Sequence, residues 1–252
     1  MVCNLALAHA TGDAGKYEAW DEDVTPFRHA LRLDAASYQT DLVFDIPPAA
    51  WPEGGEFVVS PRGNFAYQNR TVPEGQPLAL YGRQQGMVVW NGDVIVPTLI
   101  DLNRRCDTGD RFGPGTPVGD RVQGGAVWMS LTPMEMMTQR GGVRAARCTV
   151  VLGGLGLGWL LRKVCEKPEV ERVVVVEKSQ ELLDWYGFRM CGRFGKVTEV
   201  VCDDVYNQLG KHGLAARYLL DIWHLYTGAA DDYRLSHFRR RLKRRLWAWG
   251  LD

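Results

Sequence analysis

The run Val150-Val151-Leu152-Gly153-Gly154-Leu155-Gly156-Leu157-Gly158-Trp159-Leu160-Leu161 limits this chain's fold more than any other feature. An apolar strand feeds directly into glycines and then into an apolar helix. That arrangement puts bare backbone N–H groups and a helix start at the carboxyl edge of a sheet, where ligands of open α/β sheets bind. The four consecutive valines of Val173–Val176 read as a second strand, buried on both faces as in a parallel sheet. Alternation continues on either side. Pro133–Gln139 starts a helix, with Thr132 as N-cap and Glu135 three residues on, the pattern of a capping box. Cys148–Gly153 is a strand, Trp159–Cys165 a helix, Gln180–Tyr186 a helix, and Val197–Cys202 and Tyr218–Ile222 are strands. A helix over Tyr233–Leu246 leads to a last strand at Trp247-Ala248-Trp249. This order predicts an α/β domain with a mostly parallel sheet and helices on both faces, over residues 126–252.

Residues 1–125 have a different texture and predict a small β-rich domain. A helix is expected around Pro26–Leu33. Strands are expected at Leu42–Ile46, Glu56–Ser60, Leu78–Tyr81, Met87–Trp90 and Val94–Leu99. Asn91-Gly92 between the last two is a hairpin signal, because both residues tolerate positive φ. Residues 101–125, rich in Gly, Asp and Arg, read as a long loop. No catalytic motif stands in this half.

The residues that carry chemistry fall at successive strand ends. A dinucleotide fingerprint GxGxxG would need glycine at 159, where the chain has Trp159. What stands is GxGxG at Gly154, Gly156 and Gly158, a form suited to an adenosine-bearing ligand without a pyrophosphate. Glu177 ends the valine strand roughly twenty residues further on, where a carboxylate takes ribose hydroxyls. Asp203 and Asp204 follow the next strand, placed to accept from an adenine amine. Asp221 ends the strand after that, at the lip where the reacting end of the ligand lies. His224, between Trp223 and Tyr226, is a second candidate general base, and the two aromatic faces could attract a cation. Each acid also has a bland reading: Glu177 beside a helix N-cap, Asp203, Asp204 and Asp221 as caps or turns.

In this pattern the chain resembles class I S-adenosylmethionine-dependent methyltransferases, and within them the spermidine synthase-like branch, over roughly residues 124–228. Gly154-Leu-Gly-Leu-Gly stands where those enzymes have GGGDGG, Val175-Val176-Glu177 where they place the ribose carboxylate, and Asp203 where GDG carries its adenine-binding aspartate. Asp221 matches the aspartate that helps deprotonate the attacking amine. Gly124-Gly125-Ala126-Val127-Trp128 and Glu135 resemble the DG-x-x-Q and Y-x-E segments. The resemblance implies a Rossmann-like fold, C-terminally shortened, with S-adenosylmethionine or its decarboxylated form as cofactor. It places Gly154, Gly156, Gly158, Glu177, Asp203, Asp204 and Asp221 around that cofactor and gives Asp221 and His224 catalytic roles. Leu157 replaces the acid of the glycine loop, Trp128 the cofactor-binding glutamine, and Pro133 the catalytic tyrosine. A polycationic amine needs carboxylates to hold it. The leading expectation is therefore methyl transfer to a small molecule. Aminopropyl transfer, or another non-methylating cleavage of the sulfonium, is the alternative, and a non-catalytic nucleoside-binding module is a third.

Thirty basic and thirty acidic residues cancel. With no global field, nucleic acid is disfavoured as a partner, and any such contact must come from a local patch. The densest basic run is Arg239-Arg240-Arg241 with Lys243-Arg244-Arg245, read as the solvated face of an amphipathic helix whose apolar stripe is Leu235, Phe238, Leu242 and Leu246. The six cysteines form no CxxC pair, so no metal site is expected, and no apolar run is long enough to span a bilayer. A cytoplasmic location follows as the expectation. The chain ends after its candidate fifth strand, so the N-terminal domain or a second subunit, in a homodimer, is expected to cover that edge.

Overall fold

A computed structural model describes residues 30–36, 57–76, 78–80, 86–103, 126–223 and 228–251. These fall into two compact units, one within residues 1–59 and 63–137, the other within Ser60–Arg62 and Thr138–Asp252.

The first unit holds two sheets. In the smaller, β5 (Gly86–Trp90) is the centre, with β1 (Ala30–Leu33) parallel on one side and β4 (Leu78–Leu80) antiparallel on the other. The larger is antiparallel and runs β2 (Phe57–Val59), β3 (Phe65–Val72), β6 (Val94–Asp101), β7 (Ala126–Ser130). Two expectations are overturned here. The helix expected around Pro26–Leu33 is a strand where it is described. Leu31 and Leu33 alternate with Arg32, and backbone pairing with β5 fixes that period of two. The hairpin expected at Asn91-Gly92 does not form: β5 and β6 belong to different sheets. Asn91 is instead a tie. Its N–H donates to Leu33 O at 3.1 Å and its Oδ1 accepts from Ala35 N at 2.8 Å, holding the chain to β1 as it crosses between sheets. Strand β3 had no expectation attached, because Gln68-Asn69-Arg70 breaks its apolar pattern. It nevertheless pairs along its whole length with β6, and buried Gln68 lies opposite buried Thr98. The strand expected at Leu42–Ile46 and the loop over 104–125 lie outside the described residues.

The second unit is built on a five-stranded, wholly parallel sheet. Its strands are β8 (Cys148–Gly153), β9 (Val170–Glu177), β10 (Val197–Cys202), β11 (Arg217–Leu220) and β12 (Leu246–Ala248), in the spatial order β10-β9-β8-β11-β12. Helix α1 (Pro133–Ala145) precedes β8, and α2 (Trp159–Cys165) links β8 to β9. After β9 come α3 (Gln180–Leu182), a π-helical turn (Leu183–Gly187) and α4 (Phe188–Cys191), one continuous helical path where a single helix was expected. Helices α5 (Gly228–Asp231) and α6 (Tyr233–Leu242) precede β12. The last helix stops before Leu246 because Lys243 turns left-handed, φ +50°, into a short 3-10 turn.

Successive strand residues face opposite sides of a sheet. Val150, Leu152, Val173, Val175 and Leu219 lie on one side, Val151, Val174, Tyr218 and Leu220 on the other, and all are fully buried. Neither face meets water, which is why these strands read as unbroken apolar runs. Leu235 and Leu242 of α6, Ala229 of α5, and Val205 and Leu209 after β10 cover the side that carries Val151 and Tyr218. Among the described residues no helix is long and apolar enough to cross a membrane.

Strands are added first on one side of β8 and then on the other. In open α/β sheets, the carboxyl edge at such a reversal of strand order is where ligands bind.

Candidate functional site

The glycine loop leaves β8 at this edge. Gly154, Gly156 and Gly158 all have positive φ, at +87°, +49° and +81°. Two of them are required by the chain's own packing. A Cβ on Gly154 would stand 2.1 Å from the backbone oxygen of Asp221, and one on Gly158 would stand 2.1 Å from Sδ of Met190. The loop thus lies directly against the end of β11 on one side and against α4 on the other. Buried Leu155 and Leu157 anchor it from below. Gly154 N donates to Val176 O, Gly158 N to Leu155 O, and Tyr186 Oη to Gly156 O at 2.7 Å. The N–H of Gly156 makes no hydrogen bond among the described residues.

Glu177 closes the loop from the β9 side. Its Oε2 accepts from Leu155 N and its Oε1 from Ser179 N, both at 2.9 Å. Ser179 in turn N-caps α3, so the carboxylate joins the glycine loop to the next helix start. Burial pushes the Glu177 carboxyl above the usual carboxylate range, opposed by the amides of Leu155, Ser179 and Lys178. A carboxylate has about four acceptor positions. The Leu155 and Ser179 bonds occupy one position on each oxygen and the Lys178 amide also acts on the carboxylate, so only part of its acceptor capacity is left for a ligand's hydroxyls.

Asp203 and Asp204 follow β10 and take different work. Asp203 accepts from Asn207 Nδ2 at 2.8 Å, Gln208 Nε2 at 2.6 Å and the Asp204 amide, and these bonds hold its carboxyl below the ordinary value. One acceptor position remains on Oδ2. Asp204 N-caps the turn Val205–Asn207 and lies within ion-pair distance of Lys178 and Arg234. Arg234 stacks 4.1 Å over the Tyr206 ring, whose hydroxyl donates to Asp232 at 2.8 Å. Asp204 is therefore part of a surface network that braces α6.

Asp221 follows β11. Its N–H continues the ladder to Gly153 O at 2.9 Å, and its carboxylate Oδ2 accepts from Gln139 Nε2 of α1 at 2.6 Å. Desolvation pushes this carboxyl up to about 7, with the Gln139 bond pulling the other way. Gln139 is 1% exposed, and its Oε1 is buried with no partner. A protonated Asp221 could satisfy that oxygen after an amide flip, so the pair has a bonded arrangement in either charge state. Trp223, two residues on, donates Nε1 to Asp232 at 3.3 Å. His224 and Tyr226 lie outside the described residues.

The structure thus brings Gly154, Gly156, Gly158, Glu177 and Asp221 to one sheet edge, with Asp203 at the neighbouring strand end. Gln139 was not anticipated. Its signal in the sequence was weak: it shares a helical side with Met136 and Val143, but also with Glu135 four residues before it, so no clean apolar stripe singles it out. Thr132 caps α1 as expected, its Oγ1 accepting from Glu135 N at 3.4 Å. The Glu135 carboxylate turns instead to Ser130 N, at 2.7 Å. Among the described residues no group of three or more His, Cys, Asp and Glu side chains is placed to hold a metal. No family model matches this chain, and no curated protein matches it.

Proposed function

We propose that the second unit, within Ser60–Arg62 and Thr138–Asp252, is a Rossmann-like domain of the class I methyltransferase type, which binds S-adenosylmethionine and transfers its methyl group to a small-molecule acceptor. One observation carries the reading. At the point where the order of a parallel sheet reverses, a left-handed glycine loop is held by a buried strand-end carboxylate, with a second buried carboxylate, Asp221, at the next strand end.

The residues present fit the group. Glu177 takes the two ribose hydroxyls, and charge-assisted bonds of that kind contribute roughly 1.5–3 kcal/mol each. The remaining position on Asp203 receives the adenine amine, and the Gly156 amide is available to a polar group of the ligand. Bound there, the cofactor supplies an electrophilic methyl on a sulfonium. Asp221 does the proton work. With a carboxyl near 7 it is ionised in part of the population at neutral pH, and it accepts the proton released as the acceptor attacks. Gln139 holds the ionised form through Nε2. The same carboxyl could serve an attacking amine in aminopropyl transfer from decarboxylated S-adenosylmethionine, so the product decides between them.

Titration calorimetry with S-adenosylmethionine and adenosylhomocysteine tests the pocket. The wild type should bind in the micromolar range and Glu177→Ala should not, with circular dichroism used to check that the variant is folded. Release of adenosylhomocysteine in an acceptor screen identifies methyl transfer, and methylthioadenosine identifies attack on the three-carbon arm. Binding without turnover supports a nucleoside-binding module. Absence of binding to either ligand sinks the cofactor reading.

A further inference from the structure

The opposite edge of the parallel sheet carries a different chemistry. Arg147 directly precedes β8, Arg217 opens β11, and Arg241, Lys243, Arg244 and Arg245 lead into β12. The three strands are neighbours, so the topology gathers residues distant in sequence onto one amino-terminal edge. Two of the guanidiniums are pinned. Arg217 Nη1 donates to Arg244 O and Arg245 Nη1 to Leu214 O, both at 2.9 Å. Arg241 closes the group beside the Gly210 turn, its Nη2 3.7 Å from where a Cβ on Gly210 would stand.

None of these six cations forms an ion pair with a carboxylate among the described residues. Glu169, whose carbonyl accepts from Cys148 N on the same edge, pairs with none of them. Burial, with like charges on Arg147 and Arg245, lowers the Arg217 guanidinium below its ordinary value. Among the described residues no carboxylate pairs with the group to offset its repulsion. In a chain whose charges sum to zero, this is segregation of charge, and it favours a polyanion from outside.

We propose that this edge docks the phosphodiester backbone of a nucleic acid. Arginine predominates, and its fork of donors matches phosphate oxygens bidentately. The two pinned side chains have already lost much of the freedom that binding would otherwise cost. A lipid surface fits less well. Leu235 and Leu242, the apolar stripe of α6, lie in the core, so the helix has no apolar face to insert among acyl chains. The proposal is independent of the cofactor site, and it departs from the expectation drawn from net charge alone.

The test uses the full chain and a labelled mixed-sequence oligonucleotide, single-stranded and as a duplex, with fluorescence anisotropy read against salt. Wild type is expected to bind with a non-specific dissociation constant of about 10⁻⁴–10⁻⁶ M at physiological salt, and more tightly at low salt. Its log–log salt slope should be about −3 or steeper. The variant Arg241→Ala/Lys243→Ala/Arg244→Ala, all exposed positions, should bind about tenfold or more weaker, with the slope flattened by nearly three. Arg147→Glu reports on the same edge from another element and should also weaken binding. Arg189→Ala, in α4, should match wild type. No binding by wild type, unchanged affinity in both edge variants, or capture by phosphatidylserine vesicles in place of the oligonucleotide would overturn the proposal.

Discussion

Replacing Gly154 by alanine tests how tightly the glycine loop is built into the sheet. Gly213, in the same unit, has nearly the same backbone angle, φ +88° against +87°, but nothing lies within 4 Å of the Cβ it lacks. Gly213→Ala therefore measures the conformational cost alone, about 1–2 kcal/mol for a left-handed L-residue. Gly154→Ala meets the same cost and also drives a methyl to within 2.1 Å of the Asp221 carbonyl oxygen. That atom is backbone in a strand ladder and cannot rotate away. Relief must part the ends of β8 and β11, straining the Asp221 N–Gly153 O bond at 2.9 Å, worth about 1 kcal/mol. Overpacking of this kind adds about 1–3 kcal/mol. The sum is about 3–6 kcal/mol. At about 4 °C per kcal/mol for a unit of this size, Gly213→Ala should lower the melting temperature by about 4–8 °C and Gly154→Ala by about 12 °C or more. Differential scanning calorimetry reads both. Equal losses in the two variants would refute the claim that the loop lies against the β11 end.

Other outcomes follow from the same contacts. Asp221 has its carboxyl raised in the folded chain, so its stability contribution is fully present below the unfolded value of 3.8 and is lost as pH rises through about 7. Asp221→Asn should therefore melt above wild type at pH 8, with the gap closing toward pH 4. An unchanged gap across that range in thermal melts contradicts the burial. Gly142 stands in α1, where alanine ordinarily adds about 1 kcal/mol to a helix. Its Cβ would meet the Trp247 ring at 2.8 Å, so Gly142→Ala should destabilise in urea titration, reversing the usual sign. Burial pushes the thiols of Cys165 and Cys191 up to about 11 and about 12. Alkylation followed by peptide mass mapping should find both protected until the chain unfolds, with exposed Cys148 modified in the native state.

The parallel sheet was legible because its strands are buried on both faces, so Val173–Val176 and Val150–Leu152 announce themselves without any alternation to decode. The glycine loop was legible because left-handed backbone selects glycine. The first unit was harder. Asn91-Gly92 carries the composition of a hairpin turn, yet the Asn91 side chain spends its hydrogen bonds on β1, a partner distant in sequence that no local pattern announces. Strand β3 is held by eight residues of pairing to β6, which supplies what its polar middle lacks in propensity. At the site, positions were readable and partnerships were not. Glu177 and Asp221 were found from their strand ends. That Leu155 and Ser179 amides fill half of one carboxylate, or that Gln139 reaches the other, depends on contacts across long stretches of chain. The basic edge is the same lesson in reverse. The run at 239–245 looked like an ordinary helix face, and only the sheet order brought Arg147 and Arg217 to it.

The central claim is that the crevice between the ends of β8 and β11 binds an adenosine-bearing sulfur cofactor. Amide hydrogen exchange with and without saturating adenosylhomocysteine tests it most directly, because it reports place as well as binding. The account predicts slowed exchange in peptides covering Gly153–Trp159, Glu177–Ser179 and Asp221, with residues 57–103 unchanged. No protection in those peptides, or protection confined to the first unit, would contradict it.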